Sequence, residues 1–127
     1  METTVRTLRL LALATALLLV LGEVARRGVP GLFPLGLDDL LVAAALAWAA
    51  WRAGTRGPAP LLAAWSGFCG FVLVVLVINA APLFGAAEKR GAALYAAVLG
   101  TMLIVGLWAA WRSMRLIERR AAAPDRN

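Results

Sequence analysis

The sequence predicts an all-α fold: an integral membrane four-helix bundle in up-down order, compatible with two tandem helical hairpins. Three observations predict it. Apolar residues make up 62% of the 127 residues and charged residues only 16%, against about 45–50% and about 25% in an average soluble domain. The apolar residues gather into long blocks. Short connectors containing Gly, Pro and Arg separate those blocks. A soluble core of this size cannot bury so much apolar surface, so lipid is the expected solvent. Spans in lipid must be helical, because the backbone finds no water there to bond. A single transmembrane domain is expected over 1–127.

The first block runs over about 5–25. Arg6 and Arg9 open it, Leu10 to Leu21 forms its apolar run, and Gly22-Glu23-Val24-Ala25-Arg26-Arg27 closes it. Cleavage after Ala25 would put Glu23 where a signal peptidase site wants a small residue, and Ala14-Thr15-Ala16 lies too early in the run. The block is therefore expected to be an uncleaved anchor. The second block, about 34–51, is the unusual one. Its uncharged part, Leu40 to Trp51, would make a helix of roughly 18 Å, short of the ~30 Å hydrocarbon layer. A start at Pro34 supplies the missing length, since proline suits a first helical turn. Alternatively Asp38 or Asp39 is the N-cap and the span is thin. The third and fourth blocks, about 61–81 and 92–111, carry no formal charge. Between blocks two and three, Gly54, Gly57, Pro58 and Pro60 are expected to break helix. The basic tail 112–127 is expected to prolong the fourth helix by a turn or two before Pro124.

Arginine placement predicts the orientation. With both ends inside, the inner segments hold Arg6, Arg9, Arg52, Arg56, Arg112, Arg115, Arg119, Arg120 and Arg126; the outer loops hold Arg26, Arg27, Lys89 and Arg90. Basic residues in short loops favour the cytoplasmic side. The expected location is a bacterial cytoplasmic (inner) membrane, multi-pass, with N- and C-termini cytoplasmic. The formal charge of +6 is spread over connectors and tail and forms no single patch, so no nucleic-acid partner is expected.

The string Trp-Ala-Ala-Trp-Arg occurs at Trp48–Arg52 and again at Trp108–Arg112. Tandem duplication of a hairpin explains it. So does independent arrival at a belt of Trp with Arg snorkelling behind it. On either account Trp48, Trp51, Arg52, Trp108, Trp111 and Arg112 are interfacial anchors, and the two Trp of each copy, three apart, share a helix face.

Glu23, Arg26, Arg27, Asp38 and Asp39 are expected to meet at the outer mouth of the first two helices. They form either a polar cluster for an ion, a headgroup or a partner, or a helix start whose acids are favoured by the dipole and neutralised by Arg. Asn79 is a candidate for a hydrogen bond between helices, or for capping its own helix end. Ser66 and Thr101 are expected to bond their own backbone. The spacings Ala92-Ala96-Gly100, Ala63-Gly67 and Ser66-Gly70 would allow close helix approach. Cys69 is expected in the core.

With one cysteine and no histidine, the chain can form no intrachain disulfide, His-ligated haem or His-based zinc site. No catalytic residue, metal site or cofactor is expected. Leu13–Leu19 lacks the central carboxylate of small multidrug transporters. The function expected is that of a non-enzymatic accessory or scaffold protein. Its partners would be the lipid bilayer and a larger membrane protein or a second copy of the chain. The alternatives are an oligomeric small transporter or channel using the outer cluster, and a lipid-acting enzyme using the Asp pair.

Overall fold

The computed structural model describes residues 2–32, 36–85 and 91–123. Four α-helices account for most of them: α1 (Glu2–Arg27), α2 (Leu37–Arg56), α3 (Ala59–Ala80) and α4 (Ala92–Ala121). Short 3-10 turns at Val29–Leu32 and Ala81–Leu83 follow α1 and α3. The described residues contain no strand.

Three helices, α1, α3 and α4, are long and apolar enough to cross a membrane. α2 is not among them, so of the four expected spans it alone falls short, at the block whose uncharged part was already short in sequence. Its length is adequate, but Asp38 and Asp39 lie in its first turn and Arg52 and Arg56 near its end. Charge at both ends leaves too short an uncharged middle. The N-cap of α2 is Gly36, without a side-chain cap, so neither aspartate caps the helix. Pro34 lies outside the described residues, as do Lys89, Arg90, Pro124 and Arg126.

The second connector is tighter than its composition suggested. α2 continues through Gly54 to Arg56, and only Gly57 and Pro58 separate it from α3. Gly57 takes the left-handed φ of +76° that reverses the chain. Pro60 belongs to the first turn of α3, where its missing N–H costs nothing. α4 extends to Ala121, nearly three turns beyond Trp111.

Each helix buries one stripe at the three- and four-residue spacing of a single helical face. On α1 the stripe is Val5, Leu8, Ala12 and Ala16; on α2 it is Ala43, Leu46, Ala50 and Ala53. α3 contributes Leu61, Trp65, Phe68 and Val72, with Trp65 and Phe68 edge-to-face at 5.5 Å between ring centroids. α4 contributes Leu99, Gly106, Ala109, Ser113 and Leu116, and Ser113 Oγ returns its hydrogen to Ala109 O (2.8 Å). Cys69 is buried. α1 packs along α2, α2 along α3, and α3 most extensively along α4, whereas α1 and α4 barely touch.

At Gly106 the side chains of α3 pack directly against the backbone of α4. A Cβ there would lie 2.8 Å from Cys69 Sγ and 2.9 Å from Phe68 Cδ1. On α3, by contrast, Ala63, Ser66, Gly67 and Gly70 face outward, and a Cβ on either glycine would meet nothing within 4 Å. The outer surface is apolar as well: Leu17, Leu18, Val74, Ile78, Leu94 and Ile104 are all exposed. An exterior as apolar as the interior suits a lipid surrounding.

Candidate functional site

The buried stripe of α1, continued by register from Ala16 through Leu19, brings Glu23 to the inward face. Its side chain is only 3% exposed. Arg26 and Arg27 follow at the spacings that reach it. Arg26 Nη2 lies 3.0 Å from Glu23 Oε2, and Arg27 Nε pairs with Glu23 Oε1. Each carboxylate oxygen thus has a guanidinium beside it before the helix ends, although Oε1 accepts no aligned hydrogen bond. Gly28, at φ +72°, then donates its N–H to Val24 O (2.8 Å) and turns the chain away.

Arg26 also donates from Nη1 to the Tyr95 hydroxyl at 3.0 Å, tying the end of α1 to the first turn of α4. Because α1 and α4 hardly touch along the rest of their length, a cavity of about 600 Å³ opens between them. Leu18 and Leu19 of α1 form one wall and Val98 and Met102 of α4 the other; Phe71 and Val75 of α3 form the floor. Glu23, Arg26, Asp38, Asp39 and Tyr95 line its head. Asp39 is half-buried and Asp38 exposed, and neither forms a salt bridge among the described residues. The groove therefore has apolar walls and a polar head whose one buried acid is already paired. Its volume falls within the ~300–1,000 Å³ of small-molecule sites.

Of the residues singled out from sequence, Glu23, Arg26, Asp38 and Asp39 line one site, and Arg27 joins through Glu23. Asn79 stands apart: its amide donates to Val75 O of the same helix at 2.8 Å. Thr101 bonds Ala97 O in the same way (2.9 Å). Trp48, Trp51, Trp108 and Trp111 are all exposed, while Ala49 and Ala109, at matching places in the two repeats, are fully buried. The Arg52 guanidinium lies 5.8 Å from the centre of the Trp51 ring. In the second copy Arg115, not Arg112, stands over Trp111, at 5.6 Å; Arg112 is half-buried.

Tyr95 escaped the sequence reading. It is the sole tyrosine, and it sits just after the Lys89-Arg90-Gly91 connector. The preference of Tyr for membrane interfaces was the available signal. No protein-family model, no curated protein and no solved structure matches the chain.

Proposed function

We propose that the chain is a four-span protein of a bacterial inner membrane, in up-down order with both ends cytoplasmic. We further propose that it serves as a non-enzymatic accessory protein whose groove between α1 and α4 receives the apolar chain of a membrane amphiphile. Contacts at the two ends support the up-down order. Arg9, near the start of α1, donates from Nε to Ala50 O near the end of α2 (2.7 Å). Gly57, just before α3, lies against Arg120 near the end of α4. At the opposite end, Arg26 meets Tyr95. The distribution of arginines supports the orientation.

The observation that carries the proposed role is the shape of the groove: largely apolar walls, interrupted by Thr15 and Thr101, with the charged groups at one end only. An amphiphile has the same division. Glu23, the most deeply buried acid of the groove head, is already held by two arginines, which suits a site that binds a polar headgroup beside it. Native mass spectrometry of the protein released from mild detergent tests it. The wild type should retain a bound amphiphile. Ala14→Trp, which fills the groove from α1, should lose it while keeping its helical content and thermal stability. Equal retention by both proteins would refute the groove as the site.

Asp38 and Asp39 at the groove head, in no ion pair among the described residues, favour a second reading, an oligomeric small transporter or channel. On that reading D38N/D39N would abolish ion flux in proteoliposomes without altering the fold.

A further inference from the structure

We propose that the opposite end of the bundle binds a phosphate group, carried by an anionic phospholipid or free in solution. A second cavity, of about 530 Å³, opens there; Glu2, Arg6, Arg9, Gly54 and Arg120 are among its lining residues. Three arginines from two helices thus line one space, with Glu2 the single acid among the described lining residues. None of the three arginines forms a salt bridge among the described residues.

Their placement is built into the fold. The Nε of Arg9 is committed to Ala50 O, which fixes the plane of the guanidinium and leaves its two terminal nitrogens beside Gly54. A Cβ at Gly54 would stand only 3.3–3.4 Å from that group, so the glycine makes room for it. Gly57 does the same for Arg120, whose Nη1 a Cβ would strike. One anchored, planar guanidinium with two further arginines free to close on a ligand matches the oxygens of a phosphate. Its depth matches as well. The cavity lies at the ends of α1, α2 and α4, the end at which the exposed Trp51 and Trp111 stand, and basic pockets between membrane helices suit anionic headgroups.

The test uses the full chain in neutral-detergent micelles, titrated with dihexanoyl phosphatidylglycerol, with dihexanoylglycerol as the phosphate-free control, and with inorganic phosphate. Tryptophan fluorescence follows binding, and native mass spectrometry counts bound molecules. Saturable binding is expected of a phosphate-bearing ligand, with none by dihexanoylglycerol. The exposed Arg6 and Arg120 can be replaced without touching the core. Arg6→Gln with Arg120→Gln should weaken binding by roughly tenfold or more. Arg115→Gln with Arg119→Gln removes the same charge outside the cavity and should change it by no more than about twofold. Saturation by inorganic phosphate as readily as by the lipid would identify a soluble ligand; saturation by the lipid alone would identify a headgroup. Equal weakening in both double variants, equal binding of dihexanoylglycerol, or no saturation by either phosphate would overturn the proposal.

Discussion

Glu23 and its two arginines are unequal partners. The Glu23 side chain is 3% exposed, whereas Arg26 and Arg27 are 47% and 30% exposed. Removing the acid leaves two cations that reach solvent; removing the cations leaves a buried, unpaired carboxylate, which is far more costly. Glu23→Gln should therefore cost about 1 kcal/mol or less, and R26Q/R27Q about 2–3 kcal/mol, discounted from the full buried-pair penalty because the arginines are partly hydrated. Thermal unfolding in detergent can compare them, and a larger loss in Glu23→Gln would contradict the asymmetry. Gly106 permits a second residue-scale prediction. A methyl group there must displace Cys69 or Phe68, so Gly106→Ala should destabilise by about 1–3 kcal/mol, the usual cost of overpacking. Gly67→Ala and Gly70→Ala, with open space around them, should lose no stability by the same assay.

Among the elements, α2 is the marginal one. Its acids and arginines mark both ends, and it enters the bundle through contacts with α1 and α3. A charged residue costs about 2.5–3.5 kcal/mol at the centre of a membrane helix and less toward its ends. Glycosylation mapping of α2 placed alone in a carrier protein should thus show poor insertion, and D38L/D39L should raise the inserted fraction several-fold. Efficient insertion of the unaltered segment would show that its terminal charges are harmless. Element positions were legible in the sequence because the length of an uninterrupted apolar run is a one-dimensional property. Their inward faces were not. α3 is apolar on every side, and Val72 in the core differs in no chemical respect from Val74 on the surface. For the same reason the small residues picked out on α3 lie outside, while Gly106, which does the packing, went unnoticed. The polar cluster was legible because polar residues are scarce here: Glu23, Arg26 and Arg27 lie within one turn, and few other groups could answer them. Only the partner from α4, Tyr95, required the third dimension.

At the scale of the whole molecule, strong packing of α3 on α4 and near-absence of packing between α1 and α4 leave the bundle open on one side. That opening is the groove, and it follows from connectivity more than from any single side chain. Reporter fusions test the proposed passage through the membrane. A reporter after Arg56 should be active in the cytoplasm and one after Lys89 outside it; a cytoplasmic signal at Lys89 would invert the topology. The two-residue Gly57-Pro58 turn has one more consequence, for biogenesis. α2 leaves the ribosome before α3, yet so short a tether prevents the two from being sorted separately. If the chain has the four spans proposed, the weakly apolar α2 would wait at the translocon until its strongly apolar successor arrives, and the pair would enter the bilayer as one unit.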